Sequence, residues 1–100
     1  MDSIYKLLME IKKNPVIYLG KPSLERLHAF LSGYSICMMQ LTENSKLEWY
    51  PGFDSFVQKK YGMNNTNSTT RIIDFMSSSE EAAFYTYFEL LDEFIETQNK

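Results

Sequence analysis

Apolar residues recur at spacings of three and four along most of this chain, which is the spacing that places them on one face of an α-helix. The first such segment runs from about Ser3 to Lys13, and its apolar positions are Ile4, Leu7, Leu8 and Ile11. The pattern ends at Asn14-Pro15 because the residue before a proline avoids the helical region. The spacing therefore predicts a first amphipathic helix.

A second helix is predicted from the N-cap Ser23 to about Thr42. We expect it to be the central helix of the core because its apolar face is broad. That face comprises Leu24, Leu27, Phe30, Leu31, Tyr34, Cys37, Met38 and Leu41. Between the two helices lies a short apolar run, residues 16–19, bounded by Pro15 and Gly20. We expect this run to be either a packed connector or one isolated extended stretch.

Two shorter helices are predicted in the second half of the chain. One runs from Gly52 or Phe53 to Tyr61, and Gly62 provides its C-terminal stop. The other covers residues 71–76 and takes Thr69 or Thr70 as its N-cap. Its apolar residues, all expected to point inward, are Ile72, Ile73, Phe75 and Met76.

The last predicted helix, from Ser79 to Asn99, has two different faces. Ser79 is its expected N-cap. At about 100° per residue, the apolar face collects Ala83, Phe84, Tyr87, Phe88, Leu90, Leu91, Phe94 and Ile95. The opposite face, called the acidic strip below, collects Glu81, Tyr85, Glu89, Asp92, Glu93 and Glu96. We expect the apolar face to enter the core and the acidic strip to face outward.

These patterns predict an all-α fold, a compact single-domain bundle of about four to five helices over residues 1–100. One hundred residues suffice for one domain with a small core and are too few for two. The longest uninterrupted apolar run has four residues, so no membrane span or secretory segment is predicted. We therefore expect a cytoplasmic protein without a membrane partner, in which the single cysteine, Cys37, is a buried, unreactive thiol.

Candidate catalytic groups are scarce. An enzyme would need a nucleophile with a base, an acid–base pair, a metal set or a phosphate cradle. The only histidine, His28, has no acid four residues before or after it, and no phosphate-binding glycine motif is present. The sequence therefore predicts no enzyme, no cofactor and no metal site. A small enzyme or metal-dependent hydrolase built on the acidic last helix is kept as an alternative, ranked behind the two functions named below.

Negative charge is concentrated at one end of the sequence. Residues 80–100 hold six acids and one lysine, a net charge of −5, whereas residues 1–79 carry +2 and the whole chain −3. This balance argues against direct nucleic-acid binding, which needs a basic surface. A local acidic strip with Tyr85 embedded in it is typical of a surface that attracts a basic partner. An ordinary solvated helix face would give the same pattern.

An aromatic pair, Trp49 and Tyr50, precedes Pro51-Gly52 in a predicted loop. Two interpretations are open: the pair caps the small core from the loop side, or it forms an exposed anchor in a binding surface, where such residues are enriched. In the second case, Trp49, Tyr50 and Asp54 would extend the surface made by the acidic strip.

Apolar and glycine positions over nearly the full length of the chain form a pattern of their own. They are Tyr18-Leu19-Gly20-Lys21-Pro22-Ser23-Leu24, Leu27, Phe30-Leu31-Ser32-Gly33-Tyr34, Phe53, Phe56-Val57, Tyr61, Ala83-Phe84, Phe88 and Leu91-Asp92-Glu93-Phe94. In these positions the chain resembles small bacterial immunity proteins of contact-dependent growth inhibition and related polymorphic toxin systems.

The resemblance implies a cytoplasmic antitoxin that binds the C-terminal toxin domain of a large secreted effector, commonly a nuclease, in a 1:1 complex. Such an antitoxin blocks the active site or the substrate cleft of the toxin, and a nuclease offers a basic cleft to an acidic inhibitor. The alternative function is a non-catalytic, homo-oligomeric adaptor whose apolar helix faces close only between copies.

Overall fold

The computed structural model describes residues 3–42, 50–63 and 68–99, and within these ranges the chain is helical, with no strand. The helices are α1 (Ser3–Lys13), α2 (Pro15–Leu19), α3 (Leu24–Thr42), α4 (Phe53–Lys60), α5 (Thr69–Met76) and α6 (Glu80–Gln98). The predicted all-α single domain is confirmed, with one helix more than expected. None of the helices in these ranges is both long and apolar enough to cross a membrane.

The core is built around α6. This helix supplies six of the sixteen buried apolar residues: Ala83, Phe84, Phe88, Leu90, Leu91 and Phe94. Helices α3, α4 and α5 pack against it, and α1 adds Ile4, Leu8 and Ile11 to the same cluster. Ser79 accepts a hydrogen bond from the Ala82 amide at 3.0 Å, so the predicted N-cap is confirmed. Both the start and the buried face of α6 therefore follow the sequence pattern.

The prediction that the second helix is central was wrong. Ser23 caps α3 as predicted, accepting from the Arg26 amide at 3.2 Å, and Leu24 and Leu27 are buried. Beyond them, however, Cys37 is exposed and Leu41 is 74% exposed. Helical spacing shows which residues share a face, but not how far neighbouring helices cover that face. The described neighbours cover α3 mainly in its first half, so the predicted buried thiol is also wrong.

The run after Pro15 is not an extended stretch: it connects α1 and α3 as the short helix α2. Proline begins it, since its fixed φ suits the first helical position. Gly20 ends it in the left-handed region, with φ of 87°. The Arg26 Nη1 donates a hydrogen bond to the Leu19 carbonyl at 2.8 Å, and Leu19 is buried. The end of α2 is thereby fixed to the first turn of α3.

Helix α5 differs from its prediction in where it begins and in which of its apolar residues are buried. It begins earlier, because Ser68 and not a threonine is the N-cap, accepting from the Arg71 amide at 3.3 Å. Ile72 and Ile73 are buried as predicted, but Phe75 is 77% exposed and Met76 51% exposed. Phe75 lies about 115° around the helix from the middle of the face formed by the buried Thr69, Ile72 and Ile73, and so points off the buried face. Met76 is the last residue of the helix, where its packing partners end.

Candidate functional site

The acidic strip runs along the outer face of α6. Glu81, Glu89, Glu93 and Glu96 are exposed, Tyr85 is 36% exposed, and Asp92 is partly buried. At a rise of about 1.5 Å per residue, the strip is about 22 Å long from Glu81 to Glu96. The structure therefore brings all six predicted strip residues onto one face of a helix whose opposite face is fixed in the core.

Two of the six strip residues are held by neighbouring helices. The Tyr5 hydroxyl of α1 donates a hydrogen bond to Asp92 Oδ1 at 3.1 Å. On the other edge, the Lys60 ammonium of α4 lies 2.7 Å from Glu93 Oε1 as an ion pair. Burial and the bond to Asp92 raise the pKa of the Tyr5 hydroxyl, so it remains a donor at neutral pH. Asp92 and Glu93 thus have partners within the fold that the spacing of the sequence did not show.

The remaining strip carboxylates, on Glu81, Glu89 and Glu96, form no ion pair with any cation in the described ranges. Tyr85 lies between them and is held by the buried Phe84, whose ring meets it edge to face with centroids 5.0 Å apart. The three accessible carboxylates around Tyr85 can accept several hydrogen bonds from the basic side chains of a partner.

The other predicted site residues lie elsewhere or outside the described ranges. Asp54, in the first turn of α4, accepts a hydrogen bond from the Thr69 hydroxyl. Its charge acts on Tyr87, which lies about half a turn around α6 from Glu96. Tyr50 is partly buried and packs against the core, as the capping interpretation predicts. Trp49 lies outside the described residues.

Tyr87 has the most strongly perturbed pKa among the described residues. Its ring lies edge to face with Phe53, with centroids 5.7 Å apart, and with Phe88 at 5.4 Å. Burial, reinforced by the negative charge of Asp54, raises the pKa of the Tyr87 hydroxyl from 10.0 to about 12. A phenol with a raised pKa is a weaker acid, and Tyr87 faces the core side of α6, so it serves packing.

Sequence reasoning missed a second acidic cluster. Where α5 ends and α6 begins, beside the first turn of α3, an open cleft of about 380 Å³ is lined by Glu25, Asp74, Ser77, Ser78, Ser79 and Glu80. The three carboxylates come from three separate helices or helix ends. No local motif would have shown them, because only the packing of α3, α5 and α6 brings them together.

The three carboxylates of this cleft differ in their surroundings. Glu80 is paired: Lys21 Nζ lies 3.0 Å from its Oε1, and a hydrogen bond with Ser23, followed by the bond to Lys21, lowers the pKa of Glu80. Partial burial, followed by the charges of Glu25 and Glu80, raises the pKa of Asp74. Asp74 and Glu25 have no ion-pair partner in the described part of the chain. Negative charge in the cleft is therefore only partly compensated.

Groups that would indicate metal binding or catalysis do not assemble in the described ranges. No group of three or more histidine, cysteine, aspartate or glutamate side chains there has a geometry that could hold a metal ion. His28 is exposed, and its Nδ1 lies 3.4 Å from the Thr70 hydroxyl, which is a weak contact. The exposed Cys37 is not part of such a group either.

Comparison of the chain with models of known protein families, with curated proteins and with solved structures finds no match. The resemblance to toxin immunity proteins, drawn from the pattern of apolar and glycine positions, therefore stays a prediction.

Proposed function

We propose that this protein is an immunity protein that binds a cognate toxin domain, of the class of basic nucleases, and covers its active site or substrate cleft. The observation that carries the proposal is the acidic strip, with three accessible carboxylates and a supported tyrosine on the outer face of a helix. A basic cleft built to hold phosphate would attract this surface, and attraction between opposite potentials accelerates association.

The spacing of the charges favours docking over close imitation of a nucleic acid. Glu81, Glu89 and Glu96 are about 12 and 10 Å apart along the helix axis. A DNA strand carries one phosphate per about 3.4 Å. The strip is therefore too sparse to reproduce phosphate density, and we assign its carboxylates the role of steering a basic partner and pairing with individual arginines or lysines.

Growth of a host provides the first test. The C-terminal domain encoded by the neighbouring reading frame is expressed with and without this protein. The proposal expects growth arrest that this chain relieves. A neighbouring domain that is harmless, or that stays toxic when this chain is present, would refute the proposal.

Charge reversal then tests the surface. We expect the double variant Glu89→Lys/Glu96→Lys to lose at least about tenfold in association rate at low salt, because attraction becomes repulsion. Glu10→Lys is the matched control for the single variants Glu89→Lys and Glu96→Lys, which are measured beside the double variant, since Glu10 is also an exposed helical glutamate but lies on α1. Circular dichroism should show unchanged helicity. Equal association rates for the double variant and wild type would remove the strip from the proposal.

A homo-oligomeric adaptor is the second candidate, and a separate observation favours it. Several apolar side chains are more than half exposed, among them Val16, Ile17, Leu41 and Phe75 at 66 to 78%. Exposed apolar residues mark an interface between proteins where they form one contiguous patch, and Val16 and Ile17 are neighbours on α2. Sedimentation at increasing concentration distinguishes the two functions, because a compact monomer throughout would exclude the adaptor.

A further inference from the structure

Two adjacent threonines in the first turn of α5 differ in how well their hydroxyls are bonded. Thr69 is buried and donates a hydrogen bond to Asp54 of α4. The Thr70 hydroxyl lies 3.4 Å from His28 Nδ1 of α3, and neither group has another side-chain hydrogen bond in the described ranges. A good hydrogen bond between nitrogen and oxygen spans about 2.7–3.2 Å. Thr70 and His28 are therefore only weakly bonded to each other.

A small cavity lies beside this weak contact. Its volume is about 30 Å³, and its lining residues are Leu24, Leu27, His28, Leu31, Thr70 and Tyr87. A water molecule needs about 10–15 Å³ of such space and takes up about 30 Å³ in the liquid. The cavity therefore has room for one water and is too small for a larger ligand.

Tyr87 of α6 supplies the third polar side chain of the cavity. Its ring is held edge to face by Phe53 and Phe88, with centroids 5.7 and 5.4 Å away, so the direction of its hydroxyl is fixed. Within the described part of the chain, this hydroxyl forms no hydrogen bond. A hydroxyl kept from bulk water is unfavourable unless it is bonded. Water in the cavity is the partner that this position allows.

We propose that one ordered water occupies this cavity and joins Tyr87 of α6 to Thr70 of α5 and His28 of α3. Ordered waters in proteins typically make about three hydrogen bonds to polar groups, and three polar side chains line this cavity. The Tyr87 hydroxyl donates to the water, which in turn donates to Thr70 Oγ1 or His28 Nδ1. No carboxylate and no lysine or arginine lines the cavity, so its chemistry suits a neutral ligand.

The water gives α5 a polar link to each of its three packing partners. Thr69 bonds directly to α4, while Thr70 reaches α3 and α6 through the water. One confined water solvates a hydroxyl far less than bulk water does, so the site agrees with the raised pKa of Tyr87. This inference concerns how the first turn of α5 is held and does not depend on the proposed function.

A crystal structure of the whole chain at about 1.5 Å resolution and neutral pH tests the site directly. We expect a water oxygen within about 2.6–3.2 Å of Tyr87 Oη and of at least one of Thr70 Oγ1 and His28 Nδ1. Crystals of Tyr87→Phe should lack this water. A dry cavity, or a direct hydrogen bond between Tyr87 and Thr70, would overturn the inference.

Urea unfolding at pH 7 tests the link in solution. Thr70→Val and Tyr87→Phe should each raise the unfolding equilibrium constant about 2- to 10-fold, since each removes one hydrogen bond to the water. The double variant should fall short of the product of the two effects by at least about twofold, because both act through the same water.

The matched control for Tyr87→Phe is Tyr85→Phe, which removes a hydroxyl from the exposed face of the same helix. It should change the unfolding constant by less than about twofold, and its effect should simply multiply with that of Thr70→Val. Effects of Thr70→Val and Tyr87→Phe that also multiply would show that the two hydroxyls share no water and would overturn the inference.

Discussion

Alkaline pH should destabilise this protein through Tyr87. The pKa of the Tyr87 hydroxyl is raised from 10.0 to about 12 by burial and by Asp54, so the folded state favours the neutral phenol. The neutral Tyr87 hydroxyl contributes its full stabilisation at pH values below the unfolded pKa of 10.0. This stabilisation is lost as the pH rises towards the folded pKa of about 12. The difference corresponds to roughly 3 kcal/mol of unfolding free energy, of which about half is lost by about pH 11.

Tyr87→Phe removes this titration while keeping the ring and its edge-to-face contacts with Phe53 and Phe88. We expect the free energy of unfolding of the variant, measured by urea titration, to rise by roughly 1 kcal/mol relative to wild type between about pH 8 and pH 11. Such a change is a substantial part of the about 5–15 kcal/mol typical of a small domain. Direct titration by tyrosinate absorbance should show one hydroxyl fewer near the upper end of the pH range.

Asp54→Asn provides the second arm of this experiment. Because the charge of Asp54 contributes to the raised pKa, removing it should lower the pKa of Tyr87. The pKa should remain above the unfolded value of 10.0, since burial is the larger cause and persists in the variant. Parallel stability curves for wild type and Tyr87→Phe over the alkaline range would refute the reasoning, and would mean that the hydroxyl is solvated in the folded state.

Three further predictions concern stability. In denaturant titrations, Gly20→Ala should lower the free energy of unfolding by about 1–3 kcal/mol, because φ is 87° and the new Cβ would lie 2.6 Å from Arg26 Nη1. Gly33→Ala, within helix α3, should be neutral or stabilise by up to about 1 kcal/mol, because the new Cβ would meet nothing within 4 Å. Phe84→Ala should cost about 3–5 kcal/mol, while Phe75→Ala stays within about 0.5 kcal/mol of wild type in the same measurement. Asp74→Asn should raise the melting temperature slightly at neutral pH, because the pKa of Asp74 is raised and the charged form is disfavoured in the fold. This gain should vanish below about pH 3.8, where Asp74 is protonated in both states. A gain that persists in acid would exclude charge repulsion as the cause.

Periodicity predicted the helices well and their surroundings less well. The two faces of α6 follow directly from the spacing of apolar residues, and so does the N-cap Ser79. The partners of the strip do not, because Tyr5 is 87 residues from Asp92 and Lys60 is 33 residues from Glu93 in the chain. Contacts between distant residues depend on how helices pack, which a local pattern does not encode.

The errors have the same origin. The broad apolar face of α3 predicted a central helix, yet Leu41 is exposed, because covering a face needs neighbours along its whole length. The acidic cleft was missed because Glu25, Asp74 and Glu80 are dispersed in sequence and meet only where three helix ends converge. Residues 16–19 were too few for a period to be read, and Pro15 and Gly20 decided their helical form.

The late position of α6 in the sequence has a consequence for how the protein is made. A ribosome synthesises α6 after all the other described helices, yet α6 supplies the largest share of the core that those helices surround. The nascent chain therefore holds α1 to α5 with much of their apolar surface uncovered until α6 emerges, a state prone to aggregation. The core is therefore completed only when α6 has been made, and the acidic strip becomes available to a partner at the same time.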